Sequence, residues 1–383
     1  MTTAINIAPE MLDWISRNGS ATNENRKAFQ LLEQWKAGEK KPTFNKIEEV
    51  SKALHIPLGY FFLLQPPKED HSFLQYRTIK SERYEVPSRE LIDTVHDMVF
   101  IQDWMHDYVK RTEMHPLPIV GAGAHDASVE ALAARIRTDL EIKTNWYEYT
   151  RDSDDSFKYL RDKGEVAGII IMMSGIAGNN TRRSLNIEEF RAFTLVDDYA
   201  PLIFINATDT KNGRLFSLVH ELAHVWVGQN SVFNGSEFIL NNHNYIETKC
   251  NAVAAEILVP IEEFVCVWKG KTTTDIHNTI CQVARYFKCS TVVIARRALD
   301  QQLISRDVYS EIVDCAIAKS CEVKAAGASG GDYYATMATR LDTRFLFALA
   351  SSINDGTTLY TDAYRLTKTN RATFSKLLET VRG

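Results

Sequence analysis

The stretch Phe216-Ser-Leu-Val-His220-Glu221-Leu-Ala-His224-Val-Trp-Val-Gly228 concentrates side chains able to do chemistry. His220 and His224 stand four residues apart, which on a helix stacks both imidazoles on one face, where they can meet a single cation. Glu221, one step round, can reach the open side of that cation and take a proton from water there. Leu215, Leu218, Val219, Leu222 and Val225 surround these polar residues with apolar ones, predicting a buried helix that stops at Gly228.

A catalytic zinc uses three protein ligands and leaves one position open, so a third donor is needed. The next candidate stretch is Tyr245-Ile-Glu247-Thr-Lys-Cys250-Asn251-Ala-Val-Ala-Ala-Glu256-Ile-Leu-Val-Pro260. Its alanines suit a closely packed helix, and Pro260 suits a position just past its end. Glu247 and Asn251 share one face, whereas Glu256 lies about 900° of helical rotation beyond Glu247, on the opposite side. Glu247 is therefore the expected ligand, and Asn251 is expected to hold a ligating histidine in its tautomer. His243 and Cys250 are rival donors. Tyr199, His243 and Tyr245 are candidates to donate to a developing oxyanion.

These two motifs together, His-Glu-Leu-Ala-His-Val-Trp-Val-Gly and Glu-x-x-x-Asn-Ala-Val-Ala-Ala-Glu-Ile-Leu-Val-Pro, resemble the ImmA/IrrE family of zinc metallo-endopeptidases. The resemblance implies Zn(2+) as cofactor, His220, His224 and Glu247 as ligands, Glu221 as general base and Asn251 behind the ligands. The run from Glu188 to Asn206 looks like the same family. Cys250 departs from the pattern, since that position is commonly Ala, and implies a thiol near the site. The family setting implies a specific protein substrate, a repressor or toxin-type partner, in a mobile-element, phage-response or toxin–antitoxin context. The competing expectation is a non-catalytic antitoxin or transcriptional regulator that binds a toxin and promoter DNA.

The elements that must position these residues can also be read. A chain of 383 residues with 45% hydrophobic and 24% charged residues suits a globular protein of two or three domains. A net charge of −5 gives no global signature of nucleic-acid binding. No apolar run is long enough to span a membrane, and six cysteines without a C-x-x-C suit a reducing cytoplasm.

The expected fold is α+β. Residues 1–66 read as an all-α module of short helices, with Met11, Leu12 and Ile15, then Leu32 and Trp35, then Ile47, Val50 and Leu54 inward. Leu32-x-x-Trp35-x-x-Gly38-x-x-x-Pro42-Thr43 resembles the end of an Xre-type helix-turn-helix domain, in degenerate form. Arg26, Lys27, Lys36, Lys40 and Lys41 are its candidate DNA contacts. The module carries eight Lys/Arg against seven Asp/Glu, a small electrostatic footprint.

Residues 67–125 form a linker and a long amphipathic helix, Ser88 to Arg111, whose apolar stripe suits core packing or a homodimer seam. Phe73-x-x-x-Arg77-Thr78 looks like the family's connector. Residues 126–265 are expected to be the zincin-like, gluzincin-type peptidase domain. Within it, helices run near Ser128–Leu140 and Phe157–Asp162, the latter stopped by Gly164. Strands at Val166–Met173, Phe193–Val196 and Leu202–Ile205 predict a small mixed sheet whose edge can pair with a substrate backbone. Residues 266–383 read as helical, with helix-turn-helix spacing from Ile280 to Leu299 around Ser290 as N-cap.

Overall fold

The structure is a computed structural model that describes residues 4–20, 25–67, 87–126, 128–233, 245–271, 275–325 and 339–382. It divides into two compact units. Of the described residues, the first comprises those from 4 to 97 together with 176–185, and the second comprises those from 98 to 175 and from 186 to 382. Phe73, Arg77 and Thr78 lie outside the described residues.

In the first unit, helices α1 (Pro9–Asn18), α2 (Arg26–Lys36) and α3 (Phe44–Leu54) enclose a core of Met11, Leu12, Ile15, Leu32, Trp35, Ile47, Val50 and Leu54. Pro9 sits in the first turn of α1, where its missing N–H costs nothing. The apolar spacing of three and four residues is what turns each helix inward. Lys36 is paired with Asp13 at 3.1 Å and Glu33 at 3.3 Å, while Arg26, Lys27, Lys40 and Lys41 are exposed. The segment 176–185 is held to the start of helix α4 (Arg89–Arg111) by Arg183, which pairs with Glu90 at 3.1 Å and Asp93 at 2.7 Å.

The second unit is α+β. Its strands β1 (Ile170–Ser174), β2 (Ala192–Leu195), β3 (Leu202–Asn206) and β4 (Ser231–Phe233) form a mixed sheet in the order β1-β3-β2-β4. β1 runs parallel to β3, and β2 runs antiparallel to both β3 and β4. Alternation sets the faces: Phe193 and Phe204 are directly paired and stack at 5.0 Å on one side. Ala192, Ile203 and Ile205 join the main core on the other.

That core is built around helix α7 (Lys211–Val227), buried on all sides from Leu215 to Trp226. α7 lies against β2 and β3 and is packed by helices α5 (Val129–Asp139), α6 (Ser153–Val166) and α8 (Tyr245–Leu258). Gly228 ends it in the left-handed conformation (φ 76°), which a residue without Cβ adopts freely. The amides of Gly121 and Gly123 then bond the carbonyls of Val225 and Trp226.

Several boundaries differ from expectation, and α6 begins at Ser153 rather than near Phe157. Gly164 does not stop α6, which continues to Val166; a Cβ at Gly164 would come within 2.7 Å of Ile171, so the glycine serves close packing of helix on strand. β1 consequently starts at Ile170 rather than Val166. Beyond α8 follow helices α9 (Ile261–Lys271), α10 (Ile276–Phe287), α11 (Thr291–Asp300) and α12 (Arg306–Ala325), with Ser290 Oγ capping α11 through the Val293 amide. Helices at Thr343–Asn354, Tyr360–Thr367 and Arg371–Arg382 complete the described chain. No helix among the described residues is long and apolar enough to cross a membrane.

Candidate metal centre

α7 and α8 pack side by side and bring His220, His224 and Glu247 together, each offering a ligand atom within 4.8 Å of the others. The two Nε2 atoms are 3.1 Å apart. Glu247 Oε2 lies 3.2 Å from His220 Nε2, and its Oε1 lies 3.4 Å from His224 Nε2. A tetrahedral ion with bonds of about 2.0–2.1 Å would separate its ligands by about 3.3 Å, so the three atoms stand where the corners of one coordination sphere belong. Two imidazoles and a carboxylate are also a donor set that zinc accepts. The residues therefore fit a divalent metal ion.

The surroundings fix these groups. The His220 ring stacks on Phe233 at 4.2 Å. Burial opposes ionisation of Glu247, but hydrogen bonds and charge from His220 and His224 prevail and hold its carboxyl well below the usual range. Burial likewise disfavours protonation of His224, yet Cys250 and Glu247 together raise its pKa well above the ordinary value.

Glu221 is anchored by the sheet. Thr194 on β2 and Ser231 on β4 are direct cross-strand partners, and both hydroxyls donate to Glu221 Oε2, that of Thr194 at 2.6 Å. The alternation that turns Phe193 away from α7 turns Thr194 towards it. Glu221 Oε1 is buried and has no hydrogen-bond partner among the described residues. Sequence reading missed Thr194 and Ser231, because the strand register that aligns them is not written in either segment alone.

Other candidates fall differently. Asn251 Oδ1 is buried and unpartnered, as are the Nδ1 atoms of both histidines, so the expected Asn251–histidine hydrogen bond is not made. The neighbour of His224 on α8 is instead Cys250, one residue earlier, which is fully buried yet outside the group of three ligands. Glu256 faces away, as the helical rotation requires, and accepts from Arg297 at 2.7 Å. Tyr199 packs its ring on His106 at 5.1 Å beneath the Lys110 ammonium. Tyr245 is 73% exposed at the start of α8, and His243 lies outside the described residues.

With this geometry in view, residues 165–299 match the family model described as the IrrE N-terminal-like domain, the M78 peptidases, and carry such a domain. Residues 341–380 match a domain of unknown function, DUF8813. No curated protein matches the chain.

Proposed function

We propose that this chain is a zinc-dependent endopeptidase that cuts a specific regulatory protein, a repressor or toxin-type partner. The observation that carries the reading is the asymmetry of Glu221, the residue after ligand His220, whose Oε2 is gripped by two hydroxyls while Oε1 is unengaged among the described residues. His220, His224 and Glu247 would hold the ion, which when bound acidifies water and polarises a peptide carbonyl. Glu221 Oε1 then takes the proton of the attacking water as the new C–O bond forms. The same atom returns that proton to the amide nitrogen as the C–N bond breaks.

β4 supports capture of an extended substrate. Among the described residues no strand pairs with its outer edge, and it carries Ser231 and Phe233, the neighbours of Glu221 and His220. The mobile-element, phage-response or toxin–antitoxin setting rests on the resemblance of the two motifs. Exposed Arg26, Lys27, Lys40 and Lys41 offer the first unit a modest surface for DNA phosphates. Glu221→Gln should retain the metal and lower cleavage of a co-purified partner by about 10²–10⁴-fold; undiminished cleavage ends the catalytic assignment.

One observation favours a second reading. His220, Glu221, His224 and Glu247 are at most 5% exposed, and a centre so enclosed reaches no substrate until the fold opens. In that reading the chain is an antitoxin-like binding protein with a structural ion. Neutralisation of a partner that survives both Glu221→Gln and His224→Ala would select it.

A further inference from the structure

α7 and α11 begin in the wall of one cavity of about 720 Å³. Neither has an acidic residue in its first turn, and each is capped by a neutral hydroxyl, Thr210 on the Gly213 amide and Ser290 on the Val293 amide. The amides of Asn212, Thr291 and Val292, all in the lining, are first-turn donors for which a helix has no internal acceptor. Two helix starts thus direct partial positive charge into the same space, that of α7 partly offset by the adjacent Asp209 carboxylate and that of α11 carrying no acidic residue in its first turn.

Side chains add to that field. Arg285 and Lys288, at the end of α10, line the cavity, and no ion pair engages them among the described residues. Arg191 uses one guanidinium nitrogen on Asp209 at 2.7 Å, while its Nε is buried and unpartnered. Ser217, two turns into α7 and 1% exposed, lines the cavity with an Oγ that has no partner among the described residues. The acidic groups in the wall are already engaged. Asp209 accepts from Arg191 and the Thr210 amide, and Asp152 caps α6 through the amides of Asp154 and Asp155.

We infer that this cavity is a binding site for a small organic phosphate. Its volume falls in the range of small-molecule sites, about 300–1,000 Å³, and is far larger than a bare phosphate needs. Much of the remaining wall is apolar, with Ile187, Phe216, Phe233 and Val313, and suits a compact hydrophobic or aromatic body attached to the phosphate. A single carboxylate from an acidic peptide would satisfy one helix start and leave the other, with Ser217 and Arg191 Nε, still unpaired. Phe233, which stacks on His220, shares the wall, so the cavity adjoins the candidate metal centre; none of the three metal ligands lines it, and none of the phosphate donors belongs to the peptidase reading.

The test is isothermal titration of the full chain with inorganic phosphate, pyrophosphate, adenosine 5′-monophosphate, uncharged adenosine and an acidic peptide. Metal content is measured before and after each titration. Saturable binding of the monophosphate, with none of adenosine, is expected. Arg285→Glu with Lys288→Glu, both away from the core, should weaken it at least about tenfold with Tm and metal content unchanged. Ser217→Ala should weaken it less. Absence of saturable binding by every phosphate probe overturns the inference, as does binding indifferent to the double charge reversal. Binding of the acidic peptide in place of the phosphates overturns it too, and makes the cavity a peptide subsite.

Discussion

Two buried polar clusters in the second unit have opposite characters. At the junction of α6, β1 and the Thr343–Asn354 helix, Arg161 donates to Glu165 at 2.6 Å and to the carbonyls of Thr339, Ile171 and Leu341. Asp342 there accepts from the Ile171 amide at 3.0 Å and the Phe345 amide at 2.7 Å. Around α7 and α8, by contrast, His220 Nδ1, His224 Nδ1, Glu221 Oε1 and Asn251 Oδ1 are buried without a hydrogen-bond partner among the described residues. These four atoms lie on two helices packed side by side, so the deficit is concentrated rather than scattered. A satisfied cluster holds parts of a fold together; one with unmet capacity is poised to bind or react.

The contrast can be broken from either side. The largest effect should come from Arg161→Ala, which strands Glu165 and Asp342 in the interior. A loss of about 3–5 kcal/mol in urea unfolding is expected, with metal content per folded molecule unchanged. Next comes metal removal. If the α7–α8 cluster holds an ion in the native state only, a chelator should lower stability by about 4 kcal/mol at free metal about 1,000-fold above Kd. Equal stability with and without chelator, on a sample shown to have lost its metal, would erase the distinction drawn here.

Smaller still is the joint change Thr194→Val with Ser231→Ala, which frees the Glu221 carboxylate to rotate. Cleavage should fall about 10–100-fold while metal affinity stays constant, a split that simple misfolding would not give.

The most gradual effect is a pH slope. Burial, and then the charge of Asp342, push the Glu165 carboxyl up from 4.5 to about 7, against the opposing pull of Arg161. A carboxyl that binds its proton more tightly in the fold stabilises the fold at low pH, and that contribution is lost as pH rises from 4.5 to about 7. About 3–4 kcal/mol is at stake, and Glu165→Gln should flatten this part of the stability profile.

How much of this was legible in the sequence depends on the range of the interaction. The α7 motif, its glycine stop and the opposed faces of Glu247 and Glu256 follow from helical spacing, which is local. β1, β2 and β3 were found from short β-branched and aromatic runs. β4 was not, because three residues are too few to show alternation. The Thr194–Ser231 pair needed a cross-strand register, and the replacement of Asn251 by Cys250 as neighbour to His224 turned on one helical step, about 100°. Gly164 read as a stop because a glycine's local preference is visible, whereas the approach of Ile171 is not.

The use of β4 as a docking edge has a bearing on selectivity. Backbone pairing is blind to side-chain identity, so an edge strand by itself accepts any extended segment. On the proposed reading, a protein cut at this centre would bring additional contacts of its own, and discrimination between partners would be decided away from the scissile bond.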